Sequence, residues 1–240
     1  RGTLALSDIT LAHVAGQDVL LPGGAYDNRM AVHRIDGAGG FDGTRYLGAA
    51  ESLIGGISDT EVMQLDGKTY VVAAQHATPG LRVFQMRDDL GLAHKRHFQD
   101  AADNPWGGLF VEDHVIDCLD TRFADVAAVE TGTVGGRGFV LAGGGDDGIS
   151  LFELAPDGRL HHLTTIADTA QTALTDVTEI TAMADGSDLV VFAAGRDAAL
   201  TQFTVDLGLL GMLVTGGDTG DGLTGAGGDD IVRGQEGDDT

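Results

Sequence analysis

The sequence predicts an all-β chain, built of β-propeller blades and followed by the start of a parallel β-roll. Three observations carry this. Short apolar runs with period-two alternation recur in four similar segments along residues 6 to 206. Turn chemistry rich in Gly and Asp separates the runs. The last twenty-five residues repeat with a period of nine. Composition agrees. Asp outnumbers Glu thirty to seven, and there are 38 Gly against two Lys. Asp competes for backbone hydrogen bonds and suits turns, whereas Glu is a good helix former, so this balance favours strands and turns.

Taken in order, the four segments open alike. Ser7-Asp8-Ile9-Thr10, Ser58-Asp59-Thr60-Glu61-Val62, Ala124-Asp125-Val126-Ala127-Ala128-Val129 and Thr175-Asp176-Val177-Thr178-Glu179-Ile180 space their aspartates by 51, 66 and 51 residues. A second apolar run follows in each: Val19–Leu21, Tyr70–Ala73, Phe139–Ala142 and Leu189–Phe192. Then comes an alternating run: Met30–Ile35, Leu81–Met86, Ile149–Leu154 and Leu200–Val205, spaced by 51, 68 and 51. Alternation with β-branched and aromatic enrichment reads as strands. Asp66-Gly67, Asp157-Gly158 and Asp185-Gly186 read as hairpin turns. A fourth strand, such as Leu160–Ile166, closes some units. Four antiparallel strands repeated in this way are the signature of propeller blades.

The expected organisation is a propeller over 1–206, with repeats at 6–57, 58–123, 124–174 and 175–206. Residues 207–215 form a last strand or connector, and 216–240 the nine-residue repeats. Four blades close a small ring; a ring of six to eight would need blades upstream of Arg1. The chain opens without Met or an apolar signal run and stops inside a repeat, so a longer protein is expected. The longer third interval carries extra sequence around Asp103–Asp120, with the only Trp, Trp106. Such insertions often bind ligands. The repeated units resemble, in pattern, the blades of lactonase-like and cycloisomerase-like propellers.

The C-terminal units are Gly216–Thr224, Gly225–Arg233 and Gly234–Thr240. Each opens on Gly and has Asp at its sixth position: Asp221, Asp230 and Asp239. The two complete units carry an aliphatic at the eighth, Leu223 and Val232. Glycines at Gly216, Gly225, Gly227 and Gly234 let the backbone turn its carbonyls toward an ion. Calcium, a hard cation, takes carboxylate and carbonyl oxygens together. The aliphatic, on a short strand, is expected to point into the roll. This stretch resembles the RTX (hemolysin-type) calcium-binding repeat family. The resemblance implies Ca2+ as cofactor, stacking of unit one on unit three, and an ion shared by Asp221 and Asp239, with Asp230 waiting for a fourth unit. It also implies a secreted, extracellular protein that leaves a bacterial cell by type I secretion. Thr219, Ala226 and Gln235 depart from the repeat.

Other candidate sites are weighed on chemistry. Asp8, Asp59, Asp125 and Asp176 hold equivalent places in the repeat, either around a channel mouth where they bind a cation or as caps of the turns before the inner strands; the turn caps are favoured. Glu112, Asp113, His114, His94 and His97 have the residue types of a metal site without its spacing. His161 and His162 alternate faces, and His76 sits in a loop. Gly143–Gly148 reads as a hairpin loop. Gly136-Arg137-Gly138 precedes a strand, which excludes a dinucleotide loop. The five serines include no GxSxG elbow. Cys118, the only cysteine, excludes an internal disulfide and reads as a small core residue.

A net charge of −23 disfavours nucleic acid and anionic membrane surfaces, and no apolar run is long enough to span a membrane. The expected function is therefore a secreted calcium-binding protein whose propeller is a binding or adhesion module for an extracellular ligand or protein. One alternative is a metal-dependent propeller hydrolase of lactonase or phosphodiesterase type. The other is a structural component of an extracellular assembly, pairing through an exposed blade edge.

Overall fold

The computed structural model describes residues 5–26, 29–48, 55–76, 80–86, 110–197, 199–211, 213–215, 220, 222–224 and 230–233. Every regular element among them is a strand. Four antiparallel sheets follow one another along the chain, each a simple meander. Sheet one holds β1 (Leu6–Val14), β2 (Gln17–Gly24), β3 (Arg29–Ile35) and β4 (Phe41–Gly48). Sheet two holds β5 (Ile57–Leu65), β6 (Lys68–Gln75), β7 (Gly80–Met86) and β8 (Phe110–Val115). Sheet three holds β9 (Ala128–Val134), β10 (Arg137–Gly143), β11 (Gly148–Leu154) and β12 (Leu160–Ala167). Sheet four has three strands, β13 (Glu179–Asp185), β14 (Asp188–Ala194) and β15 (Leu200–Asp206).

Local chemistry makes the hairpins. Ala15-Gly16 turns at φ 49° and 77°, and Asp66-Gly67 at 48° and 72°. Positive φ at both central residues is what a tight two-residue hairpin needs. The first strands of successive sheets adjoin: β1 lies against β5, β5 against β9, and β9 against β13. The sheets are therefore blades, with these four strands innermost.

Each blade packs face to face on the next. Val14, Val19, Leu21 and Met30 meet Val71, Ala73, Phe84 and Met86 between blades one and two. Tyr70, Val72 and Val83 meet Val140, Phe152 and Leu154 between two and three. Phe139, Leu141 and Ile149 meet Ile180, Leu189 and Val191 between three and four. Strands β6 and β10 are buried on both faces, which is why they read as unbroken apolar runs. Each large side chain so buried contributes about 1.5–3 kcal/mol. The outer face of blade one is uncovered, with Ile9 58% and Leu11 67% exposed; on blade four Met183 is 58% exposed.

After blade four, β16 (Leu213–Thr215) and β17 (Ile231–Arg233) pair in parallel, Leu213 opposite Ile231. The offset is eighteen residues, two nine-residue units. The paired coil starts one unit earlier than the repeats suggest, and residues 213–215, expected within a last strand or connector, supply its first strand. Stacking of unit one on unit three lies outside the described residues, as do Gly216, Asp221, Gly225, Gly227, Gly234 and Asp239. In the coil that is described, Val232, expected to point inward, is 52% exposed. A buried ion pair ties the segment to blade three. Arg137 donates to both carboxylate oxygens of Glu153 at 2.9 and 2.7 Å and to Gly211 O at 3.0 Å. Glu153 Oε2 also accepts Leu213 N at 3.3 Å.

Candidate functional site

The inner strands carry the polar constellation. A strand on the inner edge of a blade has unpaired backbone N–H and C=O groups facing its neighbour, and these need partners. Blade one supplies them from Ser7 and Asp8. Ser7 Oγ donates to Ile57 O, and Asp8 Oδ2 accepts Thr60 N at 3.0 Å and Thr60 Oγ1 at 2.6 Å. Blade two repeats the device: Ser58 Oγ donates to Val126 O at 2.7 Å, and Asp59 Oδ2 accepts Val129 N at 2.7 Å. Blade three uses Glu130, whose Oε1 accepts Ala182 N at 3.2 Å. These residues latch each inner strand to the next.

Register then separates the four expected aspartates. Asp8 pairs across its hairpin with Gly23, Asp59 with Ala74, Ala128 with Gly143 and Glu179 with Ala194. The structural equivalents of Asp8 and Asp59 are thus Ala128 and Glu179. Asp125 and Asp176 lie before their strands, in turns at φ 47° and 44°. Asp176 ion-pairs with Arg196 at 2.7 Å. The structure brings Asp8 and Asp59 together around Thr60 and leaves Asp125 and Asp176 apart from them. Among the described residues no three His, Cys, Asp or Glu side chains converge to hold a metal ion.

Two residues beyond the latch position, on the same strand face, stand Thr10, Glu61, Glu130 and Thr181. The Glu61 carboxyl is pushed up to about 8, first by burial and then by the Glu130, Asp59 and Asp8 carboxylates. Burial also raises Asp59 to about 6, against the opposing hydrogen bond from Val129 and with Asp8 adding to the rise. Glu130 is raised by burial. The inner face therefore offers a carboxyl that keeps its proton at neutral pH beside Asp8, whose Oδ2 takes three hydrogen bonds, the third from Thr10. Glu61 and Glu130 were legible as two of only seven glutamates, each in phase with an inner strand.

The remaining candidates scatter. His114 lies on the outer strand β8, bonded to Arg82. The side chains of Glu112 and Asp113, and all of His94, His97 and Trp106, lie outside the described residues. His161 is buried and His162 largely exposed, on opposite faces as expected; the His162 ring meets Thr165 Oγ1 at 2.8 Å, and the part of it sheltered against Phe152 is desolvated enough to lower its pKa. The His76 ring fills the space beside Gly56, where a Cβ would lie 2.7 Å away. Cys118 is exposed rather than in the core, because the linker after β8 runs over the surface. No helix among the described residues is long and apolar enough to cross a membrane.

No protein-family model matches the chain. No curated protein matches it in sequence. Solved structures similar to it include an exo-β-1,3-galactanase from Phanerochaete chrysosporium, with TM-score 0.47 and 11% identity, covering 77% of this chain and 41% of the galactanase. An engineered GH43 glycoside hydrolase with endo-xylanase and exo-arabinofuranosidase activity gives 0.46 and 14%, covering 82% and 36%. The α-L-arabinanase of Cellvibrio cellulosa gives 0.46 and 13%, covering 87% and 70%. The chain thus spans about two fifths of the galactanase and just over a third of the engineered hydrolase.

These findings correct the family expectation. The structures the chain is similar to are glycoside hydrolases, not RTX calcium-repeat proteins or lactonases. The RTX resemblance rested on about a tenth of the chain, and within it Val232 is half exposed rather than turned inward. The calcium-binding adhesion module, with the type I secretion it implied, is withdrawn with the family. The lactonase or phosphodiesterase alternative finds no support, since among the described residues its candidate ligands do not converge. The structural-component alternative has no observation in its favour.

Proposed function

We propose that the inner-strand carboxyls form an acid–base site that cleaves glycosidic bonds. One observation carries this reading: Glu61 retains its proton up to about pH 8 while sharing the inner face with Asp8. Glycosidic cleavage asks for this combination. A carboxylic acid with a raised pKa protonates the leaving oxygen, and a second carboxylate activates water or attacks the sugar carbon. Glu61 is the proposed proton donor. Asp8 is the proposed carboxylate, because the three donors on its Oδ2 orient it and, among the described residues, leave Oδ1 with no hydrogen bond of its own. The support lies in these side chains; the likeness to carbohydrate-cleaving structures adds none.

The test is turnover of a panel of plant and microbial polysaccharides and aryl glycosides, read as released reducing ends. Glu61→Gln is expected to lower kcat by at least a hundredfold. In the wild type, kcat is expected to fall as pH rises through about 8, where Glu61 loses its proton. Wild-type turnover that survives Glu61→Gln unchanged would overturn the assignment, as would no turnover on any member of the panel.

Calcium at Asp221 and Asp239, and an extracellular location, are proposals supported by the sequence pattern alone. A far-UV circular dichroism titration with CaCl2 tests the first, with a gain in β signal expected in the millimolar range.

A further inference from the structure

We propose that Arg82 anchors a binding site for a small oxyanion, either inorganic phosphate or the carboxylate of an acidic sugar, in the second blade. This site goes beyond the acid–base reading and lies two strands out from it. Thr60, Ala73, Arg82 and His114 form one row across β5, β6, β7 and β8. By strand alternation Arg82 shares a face with Phe84 and Met86, which belong to the apolar core between blades one and two. A guanidinium at a core-facing position needs an explanation.

Among the described residues nothing neutralises it. Arg82 is 3% exposed. Its Nη2 donates to His114 Nδ1 at 3.1 Å, and its Nε is buried with no hydrogen-bond partner. Among the described residues no carboxylate lies within ion-pair distance of it. Arginine has no acceptor, so Nδ1 of His114 must be the accepting nitrogen, and the imidazole supplies no negative charge. Arg137 shows the contrast within the same chain: it is also sheltered, and it meets both oxygens of Glu153. A buried charge is normally paired. Among the described residues Arg82 has no such partner, and the partner proposed for it is an anion.

The chemistry of the group selects the ligand. The planar fork of guanidinium donors matches a carboxylate or phosphate edge in a two-point contact. His114, which meets Arg82, is half-buried on β8, the outer edge strand of the blade. A chain of net charge −23 repels anions at long range, so the hold on the ligand must be local.

The experiment is thermal unfolding of the whole chain at constant ionic strength, titrated separately with inorganic phosphate, with D-glucuronate, and with D-glucose as the neutral control. The wild type is expected to gain a few degrees in Tm with phosphate, glucuronate or both, and none with glucose. The active anion identifies the source. Arg82→Met is expected to lose that gain, and in anion-free buffer to melt at or above the wild-type temperature, because it removes an uncompensated charge. The proposal is overturned if neither anion shifts the wild type, or if the variant shifts equally. It is also overturned if Arg82→Met melts lower than the wild type without anion, which would show the guanidinium satisfied within the fold.

Discussion

Ser58 and Asp59 act together: the hydroxyl donates to Val126 O, and the carboxylate accepts Val129 N and its own neighbour Thr60 N. Asp59 is therefore a latch between blades, whereas Asp125, its partner in the sequence repeat, sits in a turn. At pH 5, below the raised pKa of Asp59, Asp59→Ala is expected to cost about 1–3 kcal/mol, the penalty for leaving the Val129 N–H without its acceptor. Asp125→Asn is expected to change stability by less than about 0.5 kcal/mol, since asparagine also tolerates positive φ. Urea unfolding of both variants checks this; equal losses would mean that the sequence alignment, not the strand register, gives the true equivalence. The clue was in the spacings. The aspartates of blades two and three lie 66 residues apart, but their third strands lie 68 apart. The entry turns of blades three and four are longer, so their aspartates fall short of the strand. Because side chains alternate, such a slip decides which face and which neighbour a residue meets. Glu61 was readable on the same grounds, in phase with Asp59. Its raised pKa was not, because that depends on the burial supplied by the neighbouring blade.

At the level of the element, the strands and hairpins were legible because their causes are local: alternation, β-branching and Asp-Gly turns. The blade entries were not, because they depend on chain passing close to chain. In blade three Ala124 O accepts Gly145 N at 2.7 Å, and in blade four Thr175 O accepts Arg196 N at 2.8 Å. The glycines just before these donors make room for the approach. A Cβ on Gly195 would lie 2.2 Å from Thr175 O, and one on Gly144 2.4 Å from Ala124 O. Gly195→Ala is therefore expected to cost about 1–3 kcal/mol, the usual range for overpacking. Gly37→Ala, with nothing within 4 Å of the added carbon, is expected to be far milder. Differential scanning calorimetry of the two variants separates them, and similar melting temperatures would show that the entry turn relaxes without loss. The sequence presents thirty-eight glycines of one kind; only the path of a distant segment marks which of them are indispensable.

Across the whole molecule, the four latched inner strands gather acidic groups into a narrow space, and this couples stability to pH with a definite sign. Glu61 titrates near 8 in the folded chain against an ordinary 4.5, and Asp59 near 6 against 3.8. Folded chains thus hold protons that unfolded chains release. The stability these groups contribute is complete below about pH 4 and is lost as pH rises, through about 6 for Asp59 and about 8 for Glu61. Glu130 is raised by burial and acts in the same sense. Asp168 runs the other way, because Leu174 N and the Thr172 hydroxyl hold its pKa down, so its share is lost only on acidification below the ordinary carboxylate range. The melting temperature is expected to fall steadily from pH 5 to pH 9. General self-repulsion at net charge −23 has the same direction, so the wild-type slope alone does not identify its source. Glu61→Gln does: it cannot ionise, it barely alters the overall charge, and it leaves Asp59 to titrate. Its melting temperature is expected to approach that of the wild type near pH 5 and to exceed it by a margin that widens up to about pH 8 and then levels off. Parallel curves across that range would mean that Glu61 gives up its proton like an ordinary surface carboxyl. In that case both the pH coupling and the proposed proton donor would fall together.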